Sequence, residues 1–346
     1  MTKIYADTEV CLRYTRQWND SSIEILDNLD EAESAIFHIP YPFADPEEFR
    51  NKLNRAVKNC NTIAVLISEL HQDSADFFIH HQHAKIVYFV CGAVKNIPSK
   101  YWMDWFITTC TAYKNNPNLL SALNPYAIKP KLFDILLGRQ KPHRSKVYNF
   151  IKNNDLGDRV VMTYLQGNDD IPLQAQDDSG WLWEPGIIQL KDEFYWTVTS
   201  IRYQGQSMSL SQVVPISIYN QTAYSVVAET NYDNHYSFCT EKIVKPILAE
   251  RLFIVFSGQH YLRNLLSLGF KTFDGIIDES YDSIEDNNLR FKSACEQITY
   301  LINQPQDKIL EQIRPITEHN KQVMLETDWY GDFSREMRDV LLDHTS

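Results

Sequence analysis

Two short pieces of this 346-residue chain carry side chains whose types and spacing suit anion chemistry. Glu229 ends an apolar run, 223–228, and Thr240, Glu241 and Lys242 open an amphipathic segment that leads to a second apolar run, 252–256. This order predicts a strand, a loop, a helix and a parallel strand. Open parallel sheets bind ligands outside the carboxyl ends of their strands. A carboxylate in a first helical turn is favoured by the macrodipole, so Glu241 needs no ligand to explain it, whereas a lysine there is disfavoured. Lys242 therefore asks for an anion. Free N–H groups, the positive helix end and an ammonium suit a diphosphate, and Glu229 is placed to accept hydrogen bonds from a ribose diol. The plainer alternative is a Glu-Lys surface pair on an ordinary crossover.

A second basic segment precedes this one. The run 132–137 reads as a strand, followed by Gly138, the basic loop holding Arg139, Lys141 and Arg144, and a helix through Asn153. Strand, glycine, basic loop and helix again form an arrangement that favours phosphate.

Taken in order, these elements resemble the donor-binding half of the α1,3-fucosyltransferase family, whose pattern runs Phe-Glu-Asn-Ser, a polar spacer and Thr-Glu-Lys. Here Ala228, Glu229, Thr230 and Asn231 stand for the first element, so the glutamate is kept while its neighbours differ. Related bacterial and phage glycosyltransferases continue with an apolar strand, Leu-Gly-Phe-Lys-Thr-Phe and Asp-Glu-Ser-Tyr-Asp. The chain has Leu268 to Phe273 and Asp278 to Asp282 in that order. The resemblance implies an α/β, GT-B type fold, with two Rossmann-like doubly wound domains facing a central cleft. It suggests a GDP-sugar donor, with UDP donors left open, held by Arg144, Glu229, Thr240, Glu241 and Lys242, to which the basic loop adds Arg139. Arg144 and Lys242 would take the charge of the departing diphosphate without a metal or other cofactor, as the lack of an Asp-x-Asp triplet suggests. Inversion at the anomeric carbon needs a base, for which Glu69 is chosen among the loop residues Pro40 to Asp45, Ser68, Glu69, His71 and Asp73. The acceptor is expected to be a glycan, a protein or a hydroxymethylated base of phage DNA. The alternative is a nucleotide- or carbohydrate-binding protein that kept the fold and lost the chemistry. Pro246, inside the helix, and Glu250 and Arg251 before the next strand depart from the family pattern.

The elements that must position these residues fill two domains. Residues 1–130 read as an acceptor-side domain, with strands at 35–39, 62–67 and 85–91 and a helix at 46–59 started by Asp45 and Pro46. No glycine-rich dinucleotide fingerprint follows any of these strands, which counts against a nicotinamide or flavin role. His80, His81 and His83 have no ligand spacing and read as a surface helix end. The aromatic stretch 101–113 reads as a core helix. Residues 131–325 read as the nucleotide-sugar domain, and 326–346 as a helix that the resemblance sends back to the first domain. Within the second domain, 205–211 is expected to be a loop and 270–273 a short edge strand, with Asp278, Glu279 and Asp282 divided between helix capping and ligand contact. Trp181, Trp183, Phe194, Tyr195 and Trp196 are a candidate stacking surface or core.

A formal net charge of −12 argues against a broad basic face for polyanions. Six scattered cysteines without a Cys-x-x-Cys pair read as reduced thiols. No apolar stretch is long enough to span a bilayer and the amino terminus lacks a signal-peptide core, so a cytoplasmic, bacterial or viral form is expected.

Overall fold

The computed structural model describes residues 1–18, 20–40, 43, 45–68, 72–94, 98–139, 141–165, 200–203, 206–232 and 236–343. The fold is mixed α/β, with two parallel sheets in two compact units: Met1–Thr108 with Asp328–Ser346, and Thr109–Thr327. The candidate stacking aromatics between 181 and 196 lie outside the described residues.

The first unit is built on a sheet of strands β1 (Thr2–Ala6), β2 (Ile23–Leu26), β3 (Ser34–Ile39), β4 (Thr62–Ile67) and β5 (Ile86–Val90), with β7 (Lys100–Tyr101) following the short β6 (Gly92–Val94). Its order is β2-β1-β3-β4-β5-β7, and every pairing is parallel. β3 and β4 are buried along their whole length, which is why they read as continuous apolar runs rather than alternating ones. Helices α1 (Glu9–Thr15), α2 (Pro46–Asn59), α3 (Gln72–His80) and the start of α4 (Asp104–Asn115) complete the amino-terminal part. Asp45 caps α2 through the Glu48 amide at 2.8 Å, with Pro46 in the first turn and Phe49, Leu53 and Ala56 turned inward. Trp102 and Phe106 are fully buried. His81 accepts from Arg50 and stacks on Phe77, an ordinary surface arrangement for a helix end.

The last helix belongs to this unit. Ser34 donates to the Leu341 carbonyl at 3.0 Å, Trp18 donates to the Ser334 hydroxyl at 2.9 Å, and Tyr14 stacks on Tyr330. These are contacts of the carboxyl-terminal helix Trp329–Leu342 with β3, α1 and the turn after α1.

The second unit has a four-stranded sheet of β8 (Lys131–Arg139), β9 (Val160–Leu165), β12 (Thr222–Ala228) and β14 (Phe253–Phe256), ordered β14-β12-β8-β9 and wholly parallel. Helix α5 (Pro142–Asn153) joins β8 to β9. After the short α6 (Ile216–Tyr219), β12 and the short β13 (Tyr236–Phe238), helix α7 (Glu241–Leu248) leads to β14. Then come α8 (Tyr261–Ser267), α9 (Asn287–Ile302), α10 (Gln306–Glu326) and, in the first unit, α11 (Trp329–Leu342). α5 packs with α9 and α7 with α10.

Two expectations are corrected. Residues 270–273 form no strand: the backbone N–H of Lys271 donates to the Asn320 side chain at 2.7 Å and its carbonyl accepts from the same amide at 2.8 Å. One side chain thus satisfies the backbone groups that a neighbouring strand would have bonded. Residues 206–209 are not loop but strand β11 (Gln206–Ser209), antiparallel to β10 (Ser200–Tyr203). Only Gln204 and Gly205 separate the two runs, a hairpin spacing that the polar composition concealed.

The centre of the second sheet is held by a buried ion pair. Arg251, just before β14, meets Asp134 of β8 at 2.8 Å and also bonds Ser225, Thr222 and the carbonyls of Tyr219, Thr222 and Tyr224. Asp134 also accepts from Ser225 at 2.7 Å. Three strands are stitched by one guanidinium whose donors are fully used. Removing one partner of such a pair strands the other in a dry interior. Arg251→Met is therefore expected to cost about 3–5 kcal/mol in urea unfolding, and combining it with Asp134→Leu to recover most of the loss.

Candidate functional site

The second sheet reverses direction between β8 and β12. The chain steps from β8 to β9 on one side, then returns to the other side for β12 and β14, so adjacent strands send their crossovers apart. Such a switch point leaves a crevice at the carboxyl ends, where open α/β sheets bind ligands. The basic loop after β8 and the Thr-Glu-Lys start of α7 both lie at this reversal.

Glu229 follows β12 and is fully buried. Its carboxylate accepts from the Thr230 amide (3.1 Å), the Thr240 amide (3.1 Å), the Thr240 hydroxyl (2.8 Å) and the Tyr261 hydroxyl (2.7 Å). All of this bonding stays within the protein, and no part of the side chain meets solvent. Its backbone carbonyl accepts from His143 Nε2 at 2.8 Å and from Arg144 Nη2 at 3.3 Å. One residue thus fixes the starts of α5, α7 and α8 against the end of β12.

Around it the cations gather. Lys141 donates to the Thr230 carbonyl at 2.6 Å and Arg144 also reaches the Ala228 carbonyl. Lys242 donates to the Thr230 and Thr240 hydroxyls, at 3.1 and 3.3 Å, and pairs with Glu241 at 2.8 Å. Arg144 at the Glu229 carbonyl and Lys141 and Lys242 at Thr230 therefore meet on two consecutive residues. Arg144 is buried, Lys141 is partly buried, and Lys242 keeps 26% of its side chain exposed. The β8 strand is irregular between Leu137 and Arg139, and a Cβ on the intervening Gly138 would stand 3.3 Å from the Arg144 guanidinium. Glycine there admits the arginine. Arg139 is the last residue of β8, and its side chain is outside the described part. Glu69 also lies outside the described residues.

Local sequence explains the helix starts. Thr240 is extended and its hydroxyl accepts from the Lys242 amide at 3.2 Å, an N-cap. Pro142 occupies the first turn of α5, and the N-cap Lys141 makes no side-chain cap. His143 is stacked on Tyr232 and fully buried; burial foremost, with Arg144 beside it, pushes its pKa down to about 3. It is a neutral donor to Glu229, with Nδ1 left unbonded. Burial works to raise the Glu241 carboxyl, but Lys242 and Lys245 outweigh it and hold the group below its ordinary value.

Lys245 was not singled out from the sequence. It lies one turn beyond Lys242 on α7, only 6% exposed, and burial lowers its amine to about 8, with Glu241 pulling upward and Lys242 downward. The i, i+3 spacing that puts both lysines on one face was legible, but it read as ordinary amphipathicity.

Asp278, Glu279 and Asp282, left open by sequence, are structural. Asp278 accepts from the Ser280 amide, Asp282 from the Leu262 and Arg263 amides at the start of α8, and Glu279 from the Phe273 amide. Burial pushes Glu279 up to about 7. In the first unit, sequence reasoning missed His38, next to last in β3. Its Nε2 lies 2.6 Å from the hydroxyl of Ser68, which follows β4, and burial, with Arg13 adding, lowers it to about 4. His38 sits inside a strand, and the base candidates read from the sequence all follow strands.

No family model matches the chain, and no curated protein matches it. Among solved structures it is similar to an α1,3-fucosyltransferase, at 9% identity and TM-score 0.44, over 100% of this chain and 90% of that one. It is also similar to the catalytic domain of starch synthase IV from Arabidopsis thaliana bound to ADP and acarbose, at 11% identity and TM-score 0.41, over 99% of this chain and 73% of that one. Among the described residues, no three His, Cys, Asp or Glu side chains gather as a metal site, and no helix is long and apolar enough to cross a membrane. None of the six buried cysteines is in a disulfide.

Lys245 sets a pH dependence. Its folded-state pKa, about 8, lies below the ordinary 10.5, so its charged form costs stability below pH 8 and the cost fades as pH rises from about 8 towards 10.5. In denaturant titrations without nucleotide, Lys245→Met is expected to stabilise the protein at pH 7, by on the order of 3 kcal/mol. That advantage should shrink progressively between pH 8 and 10.

Proposed function

We propose that the protein is a glycosyltransferase of the GT-B type that takes a sugar from a GDP- or UDP-linked donor to a hydroxyl acceptor. The observation that carries the reading is the convergence of Lys141, Arg144 and Lys242 on Glu229 and Thr230 at the switch point of the second sheet. Cations and two helix starts at that crevice suit a diphosphate.

In this reading Lys242 contacts the diphosphate from the partly open side, and Arg144 supplies a fixed positive charge beneath it. Glu229 is a positioning residue, since its oxygens belong to Thr230, Thr240 and Tyr261. Thr240 and Glu241 hold the helix start, and Arg139 closes the strand that enters the basic loop. As the glycosidic bond breaks, negative charge grows on the departing diphosphate, and preset cations stabilise it without reorganising. That role needs no metal or other cofactor. We assign acceptor recognition and the base that takes the acceptor proton to the first unit, with Glu69, next to Ser68 in the chain, as the base of an inverting transfer.

Melting curves with GDP, UDP and their sugars test the donor assignment. A nucleotide present at about 100 times its Kd adds about 2.7 kcal/mol of stability, and the shift should vanish in Lys242→Ala while that variant still melts cooperatively. A shift that survives Lys242→Ala would place the nucleotide elsewhere. Release of free nucleotide from the matching sugar separates a transferase from a binding protein of the same fold.

A further inference from the structure

Lys245 is the one buried cation of α7 that the donor reading leaves without a task. No acceptor among the described residues bonds its ammonium, and the residue as a whole is only 6% exposed. With Lys242, Asp134, Leu136, Tyr219 and Ser225 it lines a cavity of about 30 Å³. Asp134, the carboxylate that lines the cavity, is already engaged by Arg251 and Ser225. An ammonium held this way is costly unless an anion joins it.

We propose that Lys245 is a second diphosphate ligand: together with Lys242 it binds one phosphoryl group of a nucleoside diphosphate, one oxygen of which enters the cavity. This rests on the donor reading above. The volume supports it, because about 30 Å³ admits only one or two water-sized atoms. One phosphoryl oxygen enters, and the rest of the group stays at the mouth beside the partly exposed Lys242. The charges facing Lys245 are Glu241 and Lys242 from α7, Asp134 from β8 with its partner Arg251, and Glu229 from the end of β12. Glu241 is shared between the two lysines, Asp134 is paired with Arg251 and Glu229 is bonded to Thr230, Thr240 and Tyr261, so an incoming phosphoryl group would give the lysine pair an anion of its own.

Binding should then draw a proton onto Lys245. Near pH 8 the free protein holds this amine about half protonated, and an anion beside it restores the ammonium. Calorimetric titration with GDP and with UDP at pH 8, in HEPES and in Tris, measures the proton taken up. Uptake of about 0.5 proton is expected in the natural protein. Lys245→Met should abolish that uptake and weaken binding about tenfold or more, whereas Lys245→Arg, permanently charged, should bind without uptake. If GDP or UDP binds and Lys245→Met changes neither affinity nor uptake, this inference fails while the donor site stands. If neither nucleotide binds the natural protein, the donor reading fails and this inference with it.

Discussion

The carboxylate of Glu229 is the constraint on which the second unit's carboxyl edge depends. Its buried carboxylate is met by hydrogen bonds rather than by a direct ion pair among the described residues: two backbone amides and two hydroxyls, from Thr230, Thr240 and Tyr261. Such charge-assisted bonds are strong and directional. Because Thr240 caps α7 and Tyr261 begins α8, satisfying this one side chain fixes where both helices start. Its carbonyl does the same for α5 through His143 and Arg144. The basic groups at the crevice are therefore placed by the interior of the protein, and a ligand would find them already arranged.

Electrostatic strain is concentrated next to this rigid frame. Lys242 and Lys245 share one carboxylate, Glu241, and Lys242 stands in the first turn of the helix, where the dipole disfavours positive charge, while Lys245 lies in its last turn. The deeper pair, Asp134 with Arg251, is satisfied by a full set of hydrogen bonds and contributes rigidity. The saturated pair contrasts with the two lysines that share Glu241, and this contrast is what the proposed diphosphate site rests on.

Much of this was legible from residue order. The continuous apolar runs at β3, β4, β12 and β14 announce strands covered on both faces, and Asp45 with Pro46, or Thr240 with Glu241, announce helix starts. Lys242 was legible because a lysine in a first turn opposes the helix field. Other features depend on distant partners. Glu229 reads as a ligand-facing carboxylate until Tyr261, thirty-two residues on, is seen to bond it. The stretch 270–273 has strand-like composition, but Asn320 takes its backbone bonds. The pairing of His38 in β3 with Ser68, just after β4, leaves no local trace. Lys245 is an ordinary member of an amphipathic helix until the cavity beneath it is known.

The central claim concerns where a diphosphate sits. A crystal structure of the protein soaked with GDP or UDP tests it most directly. The account predicts the diphosphate at the carboxyl ends of β8 and β12, with Lys242 within hydrogen-bonding distance of a phosphoryl oxygen and Glu229 still bonded to Thr240 and Tyr261. A nucleotide bound elsewhere, with Lys242 still paired only to Glu241, Thr230 and Thr240, would contradict it.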